Sequence, residues 1–125
     1  MSAERQVDLL APPNERAISS ALDSYAVALR ERYGNRLKGV YLFGSRARGD
    51  FGAYSDADLA VILDDSIPPA AQTRALSALA YDVFLETGAE IQPWAFRERE
   101  WNEPRASASD LIRAARRDGR SLWQP

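Results

Sequence analysis

The sequence predicts an α/β (α+β) fold in which a single small mixed sheet is flanked by helices. Segments with apolar residues at helical spacing alternate along the chain with short runs of β-branched and aromatic residues. Such alternation is typical of one layered α/β structure. The chain has 125 residues, 46% of them hydrophobic, which is enough for one core and too short for two domains. We therefore expect a flexible N-terminal arm over residues 1–13 and one domain over residues 14–125.

Start and stop signals place each element in turn. Asn14 is a typical helix cap, and Gly34, Gly88 and Gly119 each follow a helical pattern and end it. Pro93 cannot donate a hydrogen bond to a sheet ladder, which predicts that its strand lies at an edge or ends early. In chain order, the predicted elements are a helix between Asn14 and Gly34, a strand over 37–43, a helical turn within 45–50, a strand over 56–63, a helix over 68–86, a strand over 89–96 and a helix from a Ser107 capping box to Asp118.

The composition restricts the chemistry that the chain can perform. It has neither cysteine nor histidine, so disulfides, thiolate zinc sites and imidazole bases are excluded. Catalysis must rest on carboxylates, metals, hydroxyls or arginine. A net charge of −2 argues against a general nucleic-acid binder. No apolar run approaches the roughly 20 residues of a membrane span, so we expect a cytoplasmic protein that does not bind membranes.

A glycine-serine turn follows the first predicted strand. Gly44 lets the backbone pass close to a ligand, and a helical turn beginning at Ser45 points free N–H groups outward. Such a turn favours phosphate oxygens. Gly49 is a second position at which the backbone can adopt conformations closed to other residues. The Ser45 hydroxyl can donate to a phosphate or contact a neighbouring amide. By itself this pattern also occurs in structural strand-to-helix turns.

Two carboxylates stand where the second predicted strand begins. Asp56 and Asp58 are two residues apart, and such residues project from the same face of a strand. Like charges held close together repel unless a cation lies between them, and hard oxygen ligands favour magnesium or manganese. A solvated turn is the structural alternative. The apolar run that follows, Leu59 to Leu63, places the pair at the mouth of the core.

Together, Gly44-Ser45 with Gly49, followed by Ser55-Asp56-x-Asp58, resemble the GS…G…SDxD signature of the DNA polymerase beta-like nucleotidyltransferase superfamily. The compact length resembles its minimal nucleotidyltransferase (MNT) type. The resemblance implies the polymerase beta-like nucleotidyltransferase fold over residues 14–125. It also implies two divalent metals, Mg²⁺ or alternatively Mn²⁺, held by the paired aspartates against the triphosphate of ATP.

The resemblance also assigns roles to residues around the motif. A third carboxylate on a later strand aligns or activates the attacking hydroxyl, and Glu90 is the candidate. If Glu90 faces away, nucleotide binding would persist while transfer is slow or lost. Arg46 and Arg48 flank the turn, where a guanidinium can pair with phosphate, although at least one of them is expected to be solvated. The implied nucleotide-binding residues are Gly44, Ser45, Arg46, Arg48, Gly49 and Ser55, and the implied catalytic and metal-binding residues are Asp56, Asp58 and Glu90.

Aromatic and basic residues outside the motif have structural interpretations. The arginines lie near the end of the last predicted helix, where positive charge complements the helix dipole, with binding of an acidic partner as the alternative. The tryptophans are expected in the core or at an interface, with stacking on a base as the alternative. The residues concerned are Arg113, Arg116, Arg117 and Arg120, and Trp94, Trp101 and Trp123.

The resemblance implies a nucleotidyltransferase that moves AMP from ATP onto a hydroxyl of a partner protein. MNT proteins of this kind often act as antitoxins beside HEPN-type ribonuclease toxins, and some add AMP to a toxin tyrosine. Two alternatives stay open. One is a non-catalytic, nucleotide-binding antitoxin that acts by contact. The other is a transferase for small molecules such as aminoglycosides, for which this chain lacks an acceptor domain unless a homo-oligomer supplies the surface.

Overall fold

A four-stranded mixed sheet in the order β3-β2-β1-β4 forms the centre of the computed structural model, which describes residues 7–103 and 109–125. The central β1 is antiparallel to β2 and β4, and β2 is parallel to β3. The strands are β1 (Leu37–Phe43), β2 (Ala57–Leu63), β3 (Ile91–Arg97) and β4 (Arg120–Trp123). The helices are α1 (Glu15–Tyr33), α2 (Ser45–Arg48), α3 (Thr73–Thr87), α4 (Glu98–Asn102) and α5 (Asp110–Asp118), with 3₁₀ turns at Gly34–Arg36 and Pro69–Gln72.

Each face of the sheet has its own apolar cluster. Alternate residues of β2, such as Leu59 and Val61, pack with α1 and α3 in the larger cluster. The intervening Ala60 and Ile62 pack with α4 and α5 on the opposite face. Because both faces of β2 are covered, the strand reads as a continuous apolar run. No helix in the described part of the chain is long and apolar enough to cross a membrane.

The predicted boundaries agree with most of the observed elements. The Asn14 side chain accepts a hydrogen bond from Ala17 N at 2.8 Å, and Gly34 ends α1. Gly88 ends α3 in the left-handed conformation, and β3, which contains Pro93, is an edge strand. Three starts differ from prediction: β2 begins at Ala57, which leaves Asp56 outside the strand, α3 begins at Thr73 after a 3₁₀ turn, and β3 begins at Ile91.

The C-terminal region corrects the predicted order. Arg120 begins β4 and does not belong to the preceding helix. The predicted capping residue Ser107 lies outside the described residues, and the side chain of Ser109 caps α5 by accepting from Ile112 N at 3.3 Å. The strand was missed because its four residues carry little periodicity and its pairing with β1 is non-local.

Strand register brings three chain segments to one edge of the sheet. Phe43, the last residue of β1, pairs with Asp58 near the start of β2. Ala57 pairs with Ile91 at the start of parallel β3, and Ala57 N donates to Glu90 O at 2.9 Å. The turn after β1 and the residues preceding β2 and β3 therefore meet at this edge.

Candidate active site

The turn after β1 is built around two glycines with positive φ. Gly44 has φ 76° and ψ −157°, a region open almost only to glycine. Its carbonyl accepts hydrogen bonds from Ala47 N and Arg48 N, both at 3.1 Å. Gly49 is left-handed at φ 86° and donates to Ser45 O at 2.9 Å. The N–H groups of Ser45 and Arg46 precede the first bond of this turn, as a helical N-terminus requires.

Asp58 lies directly beneath the turn. A Cβ added to Gly44 would lie 2.6 Å from Asp58 Oδ2, so the carboxylate occupies the space that a side chain would need. The other oxygen, Oδ1, accepts a hydrogen bond from Trp94 Nε1 at 3.2 Å. Asp58 is thus held between the turn after β1 and the edge strand β3.

Asp56 and Glu90 form a second carboxylate set at the same edge. Both residues are exposed, and their carboxyl groups lie close to each other, so that Asp56 can hydrogen-bond to the protonated form of Glu90. This hydrogen bond, followed by the repulsion of the Asp56 charge, raises the pKa of Glu90 above its usual range. Glu90 therefore faces Asp56.

The predicted metal-binding carboxylates do not converge as one cluster. Asp56 lies just ahead of the first residue of β2 and contacts Glu90, whereas Asp58 lies within the strand and contacts Trp94. Among residues 7–103 and 109–125, no group of three His, Cys, Asp or Glu side chains is positioned to hold a metal ion. The chemistry of the donors still fits a hard divalent cation, because carboxylate oxygens are its preferred ligands and a cation between Asp56 and Glu90 would relieve their repulsion.

Arg46 supports the loop that connects the turn to Asp56. Its side chain is 6% exposed, and its Nε donates to Ser55 O at 2.8 Å. The guanidinium carbon lies 4.7 Å from the ring centroid of Phe51. The Ser55 hydroxyl oxygen accepts from Gly52 N at 2.9 Å, which closes the loop on itself. Arg46 and Ser55 therefore shape the loop, and their predicted contact with nucleotide stays a prediction.

Arg48 connects α2 to α5. Its guanidinium contacts Asp50 at 3.2 Å and Asp118 at 3.1 Å. The sequence did not indicate Asp118 as a partner, because the two residues lie 70 positions apart. The predicted role of Arg48 in phosphate binding also stays a prediction.

A groove of about 310 Å³ opens beside the Asp56–Glu90 pair, between α3 and the start of β3. Its α3 wall carries two aromatic residues, Tyr81 and Phe84, whose ring centroids are 6.5 Å apart. Tyr81 is 60% exposed. The remaining lining residues are Ser77, Ala80, Ile91, Gln92 and Pro93.

Sequence reasoning missed Trp94 as a partner of Asp58 and the aromatic wall of the groove. Trp94 was expected in the core, at an interface or against a base. Its place on an exposed edge strand, four residues after Glu90, was the available signal. The signal for Tyr81 was weaker: this aromatic residue lies outside the apolar stripe of its helix.

Comparison with known proteins agrees with the motif. The model of the nucleotidyltransferase domain family matches residues 22–105. The protein named "Putative protein adenylyltransferase MJ0604", from Methanocaldococcus jannaschii, is 28% identical over 82 residues, which cover 66% of this chain and 82% of that protein.

Two solved structures share the fold. A toxin-antitoxin crystal structure with AMP-PNP has a TM-score of 0.55 at 22% identity, covering 81% of this chain and 72% of that chain. A structure of tri-AMPylated Shewanella oneidensis HEPN toxin in complex with MNT antitoxin has a TM-score of 0.52 at 19% identity, covering 86% of this chain and 72% of that chain. At these identities the likeness shows the fold.

Proposed function

This chain belongs to the nucleotidyltransferase domain family and is a nucleotidyltransferase, and we propose that it transfers AMP from ATP to a hydroxyl group of a partner protein. One observation carries the proposal. The glycine turn, Asp58 and the Asp56–Glu90 pair lie at one edge of the sheet, in that order from β1 to β3. With this order, the phosphates of ATP would bind on the β1 side of the carboxylates, and the acceptor would approach from the β3 side.

The turn is proposed to hold the β- and γ-phosphates of ATP. Gly44 allows close approach of the backbone, and Ser45 and Gly49 complete the cradle. Arg48, which is exposed, supplies positive charge at the rim. Arg46 and Ser55 contribute by holding the loop that leads to Asp56.

Magnesium is the proposed cofactor, with Asp56, Asp58 and Glu90 as its ligands. Carboxylate oxygens are the donors that this ion prefers. When bound, magnesium neutralises negative charge on the phosphates during transfer. The proximity of Asp56 and Glu90 supports this assignment, since a cation bound between the two carboxylates would relieve the repulsion of their like charges.

The proposed reaction is an in-line displacement at the α-phosphorus. A bond forms between the acceptor oxygen and the α-phosphorus, and the bond from that phosphorus to the bridging oxygen of the β-phosphate breaks. Pyrophosphate leaves with the electron pair. The hydroxyl proton passes to Glu90, which is exposed on the acceptor side of the carboxylates.

A HEPN-type toxin is the proposed partner. The similarity to a structure of AMPylated HEPN toxin with MNT antitoxin supports this choice. The partner would then supply both the acceptor hydroxyl and the surface that orients it.

The proposal is tested by incubating the protein with α-phosphate-labelled ATP, magnesium and the product of the adjacent gene. We expect the partner to be labelled and Glu90→Ala to reduce labelling. Unchanged labelling by Glu90→Ala would remove Glu90 from the mechanism. A partner that binds but stays unlabelled would contradict the enzymatic proposal.

A non-catalytic antitoxin is the second candidate, and one observation favours it. The carboxylates contact each other or Trp94 and do not form a three-residue cluster in the described chain. The double variant Asp56→Asn, Asp58→Asn separates the two functions. If the complex still forms and neutralisation is lost, chemistry is required. If neutralisation survives, contact suffices.

A further inference from the structure

A cavity of about 290 Å³ lies between α1 and β4, and it shares no lining residue with the groove beside the Asp56–Glu90 pair. Its apolar wall is formed by side chains of the larger apolar cluster, among them Ile18, Leu22 and Leu42. Polar side chains of α1, α2 and β4 complete the lining. A few polar groups set in an apolar wall are typical of small-molecule sites, whose volumes start at roughly 300 Å³. We call this space the α1–β4 cavity.

Arg46 is the buried charge in the wall of the α1–β4 cavity. Its side chain is 4% exposed, and its Nε donates to Ser55 O at 2.8 Å. Glu15 Oε1 lies 3.9 Å from Nη1, which is too far for a hydrogen bond. Within residues 7–103 and 109–125, the Nη donors therefore have no acceptor. No fully enclosed side-chain nitrogen or oxygen of these residues lacks a partner, so the Nη groups must reach open space, and the cavity that Arg46 lines provides it.

Phe51 and Ser55 leave one edge of the Arg46 guanidinium available. The Phe51 ring centroid lies 4.7 Å from the guanidinium carbon, and Ser55 O is bound at Nε. The edge formed by Nη1 and Nη2 carries parallel N–H groups, the arrangement that binds both oxygens of a carboxylate. The built geometry is therefore that of a carboxylate-binding arginine.

The charges around the α1–β4 cavity favour a ligand with a single negative charge. Arg120, at the start of β4, is a second cation in the lining, and it forms no ion pair with the residues that the structure describes. Glu15 and Asp23 line the cavity from α1, and both are exposed. Because these carboxylates balance the arginines, a phosphate group with several charges would meet like-charge repulsion at the rim.

We infer that the α1–β4 cavity binds a small monocarboxylate with an apolar body, whose carboxylate pairs with Nη1 and Nη2 of Arg46 while its hydrocarbon part contacts the apolar wall. Because the same guanidinium holds Ser55 O, the ligand stabilises the loop over residues 51–55, which leads to Asp56. A ligand that binds one conformation favours it over the alternatives. The site is independent of the proposed transfer reaction, and its occupancy can be measured without nucleotide.

The first experiment measures binding with 4-methylpentanoate as the probe. This carboxylate, 4-methylpentan-1-ol and pyrophosphate are titrated separately into isotopically labelled protein at constant ionic strength without ATP, and backbone amide shifts are followed by NMR. We expect only the carboxylate to give saturable shifts at Ser19, Leu22 and Ser121, with the amide of Tyr81 in the other groove unchanged. Absence of saturable shifts, equal shifts with the alcohol, or shifts of these amides by pyrophosphate and not by the carboxylate would overturn the inference.

The second experiment tests the pairing with Arg46. Arg46→Lys keeps the positive charge and removes the planar fork, so the Kd for 4-methylpentanoate should rise about tenfold or more, the size expected for loss of a charge-assisted hydrogen bond. Arg74→Lys is the matched control, because Arg74 is exposed on α3 and does not line the cavity. An unchanged Kd in Arg46→Lys, or an equal rise in Arg74→Lys, would contradict the pairing.

A further pair of variants leaves Arg46 in place and fills the cavity, so the test remains decisive if Arg46→Lys does not fold. Ser19→Trp should abolish binding of 4-methylpentanoate, whereas Ser20→Trp, at an exposed neighbour outside this lining, should not. Wild-type affinity in a folded Ser19→Trp protein would show that the α1–β4 cavity is not the site.

The effect on the loop is measured by hydrogen exchange at Gly52 N–H, which donates to Ser55 Oγ. At ten times its Kd, 4-methylpentanoate should slow this exchange by about tenfold in the wild type and leave it unchanged in Ser19→Trp. Binding without slower exchange, or slower exchange in Ser19→Trp, would overturn the effect on the loop. If the protein transfers no AMP but passes these tests, the proposed function fails and this site stands.

Discussion

Gly44 is the residue at which backbone conformation and site chemistry depend on each other most directly. Its φ and ψ exclude other residues, and Asp58 Oδ2 occupies the place of its missing Cβ. We expect Gly44→Ala to lower the free energy of unfolding by about 1–3 kcal/mol, the usual cost of such backbone strain. Because it also displaces Asp58, transfer should fall by about 100-fold or more.

Gly34→Ala is the matched control for this substitution. Gly34, at the end of α1, also has positive φ, but nothing lies within 4 Å of an added Cβ. The control variant should therefore show a similar decrease in the free energy of unfolding and retain most of its transfer activity. Chemical denaturation and steady-state kinetics on both variants decide the matter. Equal loss of activity in the two would show that the contact with Asp58 is unimportant.

Trp94 holds one oxygen of Asp58, and we expect this hydrogen bond to orient the carboxylate for the reaction. Trp94→Phe keeps a ring and removes the N–H donor. Hydrogen bonds to charged groups contribute about 1.5–3 kcal/mol, and the partly exposed position favours the lower end, so kcat should fall roughly tenfold. The variant should keep its fold by circular dichroism.

Two further variants separate orientation from packing. Trp94→Gln, which restores an N–H donor without the ring, should recover part of the activity. Trp123→Phe changes a tryptophan on β4, whose contacts lie in the larger apolar cluster and not at the carboxylates. Loss of activity in Trp123→Phe matching that in Trp94→Phe would count against a specific role for the indole N–H group.

Among the elements, α2 is connected to the loop over residues 51–55 by the Arg46 side chain, which donates to Ser55 O and contacts the Phe51 ring. Replacing this arginine by methionine keeps the apolar stem and leaves Ser55 O without its donor. The loss of a buried partner should lower the free energy of unfolding by about 1–3 kcal/mol. Faster hydrogen exchange at Gly52 N–H, which donates to Ser55 Oγ, should report loosening of the loop. Arg48→Met is the control, since the Arg48 side chain is exposed and contacts Asp50 and Asp118 instead of the loop.

The elements differ in how far their sequences determine them. The start of α1 and the ends of α1 and α3 depend on local signals, namely an Asn14 side-chain cap and the conformations of Gly34 and Gly88, so they were predictable. Strand β4 was not, because it is defined by pairing with β1 across the chain. The contact of Arg46 was also not predictable from the local sequence. Its sequence position suggested phosphate, which stays a prediction, and its observed partner Ser55 is set by the path of the loop.

At the scale of the whole molecule, the mixed sheet explains why the site residues meet. The antiparallel pairing of β1 with β2 and the parallel pairing of β2 with β3 bring the end of β1 and the starts of β2 and β3 to one edge. The motif predicted Gly44, Asp56 and Asp58 at one site. The motif could not specify that Asp58 contacts Trp94 whereas Asp56 contacts Glu90, because these contacts depend on the side chains of the neighbouring strand β3.

The proposed function depends on transfer of the AMP portion of ATP by these carboxylates. The most direct measurement compares α-phosphate-labelled with γ-phosphate-labelled ATP, incubated with magnesium and the partner protein, for the wild type and Asp58→Asn. We predict that only the α-label becomes attached to the partner, and that Asp58→Asn reduces attachment by about 100-fold or more. Attachment of the γ-label, or undiminished α-labelling by a folded Asp58→Asn protein, would contradict the account.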